Sequence, residues 1–169
     1  GRLDILVNNA GLIRRSPAFE YTEEDWDAIL QVNLKALFYL SQAAARVMAR
    51  QGGGKIINIA SALSFQGGIL VPAYTASKHG VAGVTRALAN EWAGHNINVN
   101  AIAPGYMETD NTAPLRADPV RSEAILKRIP AGRWGQPEDL KGVAVYLASA
   151  ASDYMHGAIV AVDGGWLSR

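Results

Sequence analysis

Two spacings of apolar residues alternate along the chain. Short β-branched runs occupy Ile5–Asn8, Lys55–Ser61, Ile97–Pro104 and Ala158–Asp163. Several lack strict polar alternation, the pattern of parallel strands covered on both faces. Between the runs, apolar residues fall at helical spacing. Ile29, Val32, Ala36, Leu37 and Leu40 mark a first helix over Glu23–Arg50. Thr22 is placed to cap it, Glu23, Glu24 and Asp25 favour its dipole, and Gly52-Gly53-Gly54 ends it. Further helices are predicted over Ala73–Ala93, Pro119–Arg128 and Glu138–Ser149. Strands alternating with helices predict an α/β fold built on a parallel sheet with right-handed crossovers. Gly105–Gln136 is longer than a usual strand-to-helix connection and reads as a binding loop.

Composition narrows the classes. The 169 residues suit one domain, and 49% hydrophobic against 18% charged residues is too apolar for disorder. Sixteen basic and 15 acidic side chains leave a net charge of +1. That balance carries no nucleic-acid footprint. The absence of cysteine excludes disulfides, thiolate metal sites and cysteine nucleophiles. It also fits a reducing compartment, so a cytoplasmic protein is expected. No signal peptide is recognisable, and no apolar run approaches the ~20 residues of a membrane span. No metal is expected.

Candidate chemistry sits where strands end. Tyr74 and Lys78, one helical turn apart, share a face, and an ammonium beside a phenol favours the phenolate. Such a pair suits proton transfer to or from an alcohol oxygen. The same spacing also describes a solvated helix face. Ser61 closes the second strand at the sheet's carboxyl edge, where it reads as a substrate hydrogen-bond partner or as a turn cap. Asn8-Asn9-Ala10-Gly11 follows the first strand, and Pro104-Gly105, with Thr109 beyond, closes the third. Both read as ligand-approach sites or as simple turns. Asn33 is a poor helix former in an apolar stretch and needs a partner.

Together these motifs, with Arg133-Trp134-Gly135-Gln136-Pro137-Glu138-Asp139 and Asp163-Gly164-Gly165, resemble the short-chain dehydrogenase/reductase family over essentially the whole chain. The resemblance implies a Rossmann-like, doubly wound parallel sheet and an NAD cofactor. It implies that Tyr74 is the acid/base, Ser61 positions the substrate oxygen, Lys78 lowers the Tyr74 pKa, and Asn33 holds a proton relay. Asn8, Ala10, Gly11, Pro104, Gly105 and Thr109, with Tyr74 and Lys78, would line the cofactor. Gly11–Arg15, Ile59–Gly68, Asn96–Met107 and Arg128–Gly135 resemble members acting on a deoxy sugar acid. Arg14 and Arg15 follow the Asn-Ala-Gly motif, where an arginine fork suits a carboxylate, and Arg14, Gln66 and Tyr106 are the expected substrate contacts. A homo-oligomer, a tetramer by family habit, is also implied.

The sequence departs from the family pattern at its start. Members begin with a strand and a Gly-rich turn that receives a diphosphate at a helix N-terminus. Nothing before Asn8 serves that purpose. The resemblance therefore implies that the chain holds strands four to seven of the family sheet, with roughly 80 residues preceding them. The NAD/NADP determinant would fall in that part, and little turnover is expected of these 169 residues alone. Two alternatives stay open: a non-catalytic assembly module, and a dehydrogenase of the same family with another alcohol substrate.

Overall fold

The computed structural model describes all residues, Gly1–Arg169. Four parallel strands lie in chain order across the sheet: β1 (Ile5–Asn8), β2 (Gly54–Ile59), β3 (Ile97–Pro104) and β4 (Ile159–Val162). Register is in step, with Val7 beside Ile57, Ile57 beside Asn100 and Ile102 beside Val160. The helices are α1 (Glu23–Leu30), α2 (Leu37–Gln51), α3 (Pro72–Trp92), α4 (Ala113–Ala117), α5 (Pro119–Arg128) and α6 (Lys141–Ala148). None is long and apolar enough to cross a membrane.

Strand alternation builds three layers. Ile56, Ile97 and Val99 pack against Ala44, Ala45 and Met48 of α2 and Leu88 and Ala89 of α3. Ile57 and Ile102 point the other way and meet Leu147 of α6. Each buried isoleucine, valine, leucine or methionine here contributes roughly 1.5–3 kcal/mol. Seven of the eight residues of β3 are buried, as a central parallel strand requires. Its asparagines are therefore committed. Asn98 donates to the carbonyls of Ser152, Asp153 and Met155, and Asn100 clasps Met155 O and Ala158 N. These bonds fix the entry to β4. At the opposite edge, β1 pairs only with β2, and its Ile5 and Val7 are about half exposed.

The predicted helix over Glu23–Arg50 runs without interruption to Gln51 but changes its winding partway. α1 and α2 are joined by a π-helical turn, Gln31–Ala36, that holds Asn33. Thr22 caps α1 as expected, accepting from Asp25 N. Segment 105–136 is not an open loop. Its base is closed by a parallel bridge between Met107 and Gly135 and by the two-pronged Arg133–Asp139 pair at 2.7 and 3.0 Å. Its far end, α4 and α5, packs Ile125 and Ile129 on Trp134 and Trp166. This cap stands over the carboxyl ends of the strands.

Candidate active site

All the strands deliver their carboxyl ends to one side of the sheet, where their connections part and leave a cleft. The cleft is lined by Ile13, Arg15, Ser61–Leu63, Gly68, Ile69, Val71 and Tyr74 from one side. Gly105, Tyr106, Asn111, Thr112, Leu115 and Arg121 close it from the capping segment. Ser61 and Tyr74, placed together by sequence spacing, do share this cleft. Ser61 leaves β2 by capping a short 3-10 turn, its Oγ accepting from Leu63 N at 3.1 Å. Tyr74 stands in the first turn of α3, and Ser77 Oγ braces that turn on Tyr74 O at 2.7 Å.

Lys78 lies one turn further along α3, and its Nζ donates to Ile59 O at 2.6 Å and sits 5.5 Å from the Tyr74 ring centre. Burial pushes its pKa down to about 8, because water no longer solvates the ammonium. The expected depression of the Tyr74 phenol does not emerge. Burial raises it, and the Ser61 hydroxyl and the Arg15 charge offset this only in part. Loss of hydration outweighs the favourable neighbours of the phenolate.

Asn33 is 1% exposed and acts on the loop after β1. Its Oδ1 accepts from Leu12 N at 2.8 Å, and its Nδ2 donates to Leu12 O at 2.9 Å and to Ser77 Oγ at 3.2 Å. One side chain thus replaces a strand partner for Leu12 and ties the loop to α3. The π turn presents it, as such bulges often do at sites. Asn33→Ala leaves both Leu12 groups without their partner and is expected to cost about 2–3 kcal/mol. Asn33→Asp keeps only the acceptor and should fall between. Urea unfolding measures both, and an alanine variant as stable as the parent chain contradicts this role.

Gly11 meets Asn33 and Lys78. A methyl group built on it would stand 3.5 Å from Asn33 Oδ1 and 3.9 Å from Lys78 Nζ, filling the space between them. Gly105 has a different constraint. A Cβ there would lie 2.6 Å from the Cα of Asp163, so glycine lets the end of β3 close on the end of β4.

Several expected contacts lie elsewhere. Asn8 is buried, its Nδ2 donating to Ser41 Oγ and Asn58 Oδ1 at 2.9 and 2.8 Å. It joins β1 to α2 and β2, facing the core and not the open edge. Thr109 is exposed and caps the turn at Asp110–Thr112. Arg14 turns to Asp25, Nε to Oδ1 3.5 Å, and Gln66 accepts from Arg128 at 3.0 Å, so neither lines the cleft. Tyr106 does line it, packed edge-on to Trp134 and tilted against Trp166. Sequence reasoning passed over Arg121, Thr112 and Leu115, because only the folding of segment 105–136 brings them in.

A parallel sheet with a Ser–Tyr–Lys set at its carboxyl edge defines a class. Residues 1–167 match the family model described as enoyl-(acyl carrier protein) reductase, and the chain belongs to the short-chain dehydrogenase/reductase family. It is 68% identical over 170 residues to the 2-dehydro-3-deoxy-D-gluconate 5-dehydrogenase of Escherichia coli K12, which covers all of this chain and 67% of that protein. A candidate 2-deoxy-D-gluconate 3-dehydrogenase of Agrobacterium tumefaciens, solved with bound NADP, is 66% identical with a TM-score of 0.96. That match covers 98% of this chain and 68% of the other. The gluconate 5-dehydrogenase of Burkholderia cenocepacia, solved with NADP and tartrate, is 45% identical with a TM-score of 0.98. There the coverage is 100% of this chain and 66% of the other. The chain thus spans about two thirds of the length of these relatives.

Proposed function

We propose that the protein carrying these residues is a dehydrogenase that interconverts a secondary alcohol and a ketone on a deoxy sugar acid. Its substrate is of the 2-dehydro-3-deoxy-D-gluconate or 2-deoxy-D-gluconate type. The observation that carries this reading is the convergence of Ser61 and Tyr74 in one cleft, with Lys78 a turn behind. The names of its relatives support the sugar-acid class.

The residues present suit the nicotinamide–ribose end of a dinucleotide. Lys78 offers an ammonium to sugar hydroxyls, and Ala10 and Gly11 leave backbone uncovered beside it. Pro104 and Gly105 stand at the same sheet edge. A nicotinamide cofactor bound there supplies the hydride acceptor for oxidation and the donor for reduction. The chain does the rest. Tyr74 Oη takes the proton of the substrate hydroxyl during oxidation and returns it during reduction. Ser61 Oγ holds the same oxygen by a hydrogen bond. The Arg15 charge, which reaches Tyr74, favours the phenolate once the proton has moved. Asn33, through Leu12 and Ser77, keeps loop and helix in step for a proton path from Lys78.

NAD is the proposed cofactor. Assembly as a homo-oligomer belongs to the same proposal and is supported by Tyr39 and Leu40, each 55% exposed on α2. Steady-state assays with deoxy sugar acids and matched neutral polyols, each with NAD and NADP, test the reading. Turnover of the acids over the polyols is expected, with NAD preferred. Preference for polyols contradicts the substrate class, and preference for NADP contradicts the cofactor.

A further inference from the structure

The cleft carries an unbalanced charge. Its lining includes two guanidinium groups, Arg15 and Arg121, and no carboxylate. Neighbouring arginines are committed within the chain. Arg14 faces Asp25, Arg133 is forked on Asp139, and Arg128 stacks 3.9 Å above Trp166 while bonding Gln66. Arg15 has a single partner, the carbonyl of Asn111 at 2.8 Å, which orients the group without neutralising it. Arg121 has no acidic partner among the ion pairs of the chain. Its main-chain N–H is held by Asp118 Oδ1 at 3.1 Å, which fixes the first turn of α5.

The two side chains come from separate elements. Arg15 follows β1 in the loop anchored by Asn33, and Arg121 stands on the capping segment. Burial raises the Tyr106 phenol, against which the charges of Arg121, Arg128 and Arg15 act in that order, and that of Arg15 also reaches Tyr74. A positive field therefore runs through the cleft toward the reacting hydroxyls.

Resting on the sugar-acid reading above, we propose that Arg15 and Arg121 together bind the substrate carboxylate and set specificity for acids over neutral polyols. Charge-assisted, forked hydrogen bonds to a carboxylate are the strongest an arginine makes, and lysine does not reproduce them. The carboxylate would bridge the loop after β1 and the capping segment. Substrate charge would then draw the cap onto the cleft, orienting the sugar chain along Ser61 and Tyr74.

The test titrates the chain with D-gluconate and with D-glucitol, which has the same hydroxylated skeleton without the carboxylate. Emission of Trp134 and Trp166, both packed on Tyr106, reports binding. The parent chain should prefer gluconate. Arg15→Gln and Arg121→Gln should each weaken gluconate by about tenfold, and the double variant should lose the preference, with glucitol affinity unchanged. Arg121→Lys should fall between, and Arg50→Gln, a charge change far along α2, should have no effect. A double variant that still prefers gluconate overturns the arginine assignment and leaves the sugar-acid reading standing. A parent chain that does not prefer gluconate overturns that reading and the assignment with it.

Discussion

Tyr74→Phe is expected to lower turnover by roughly 10²–10⁴-fold, the usual worth of a positioned acid or base. The change removes one oxygen and keeps the ring. Packing in the first turn of α3 and the Ser77 brace on Tyr74 O persist, so substrate affinity should move little. The pH dependence follows from the direction of the phenol's shift. Burial holds its pKa above the ordinary value, so at neutral pH the group is protonated and ready to act as an acid. Ketone reduction should be fast there and decline as alkaline pH removes the proton. Alcohol oxidation needs the phenolate and should climb over the same range. Initial rates in both directions, for parent and variant, measure this. A phenylalanine variant within tenfold of the parent, or an oxidation rate that falls with rising pH, contradicts the role of Tyr74.

Lys78→Met is expected to move stability and activity in opposite directions. The ammonium is buried, and its pKa falls from 10.5 to about 8 on folding. Below about pH 8 it is charged in both states, and the full desolvation cost opposes the folded form. Between about 8 and 10.5 the folded state sheds the proton first, so the cost fades. Above that range both states are neutral and it is gone. At about 1.4 kcal/mol per pKa unit the cost is about 3 kcal/mol. Losing the bond to Ile59 O takes back about 1 kcal/mol. The methionine variant should therefore be about 2 kcal/mol more stable at pH 7, with the advantage shrinking as pH rises through 8 to 10.5. Turnover should fall by roughly 10²-fold, because the cofactor sugar loses a charged hydrogen-bond donor. Urea unfolding across this pH range decides it. A variant less stable than the parent at pH 7, or an advantage that does not narrow, contradicts the account.

What could be read from the chain was what depends on short-range spacing. β1, β3 and α5 stand where their patterns put them. β2 stops at Ile59, two residues short of the predicted end. Ala60 still bonds Ile102 O and packs in the core, and the chain leaves the sheet only at Ser61, which caps a 3-10 turn at the cleft. The π turn between α1 and α2 was hidden because the Asn33–Leu12 clasp it serves spans 21 residues. α4 was missed for a similar reason, since it exists only within the packed capping segment.

The site divides along the same line. Tyr74 and Lys78 follow from helix geometry, and Ser61 from its place after a strand. The choice between Arg14 and Arg15 does not, because Asp25 of α1 captures one and leaves the other to the cleft. Asn8 had a usable signal. Alternation puts it on the same face as Leu6, which packs on the α2–α3 core, so its side chain points inward and not to a ligand.

The central claim is that the carbinol carbon gives up a hydride while its hydroxyl proton goes to Tyr74. A deoxy sugar acid deuterated at that carbon tests it directly, with mass spectrometry of the nicotinamide produced. The account predicts that the deuterium appears on the nicotinamide ring with the parent protein. Deuterium released to water, with ketone still formed, would contradict hydride transfer.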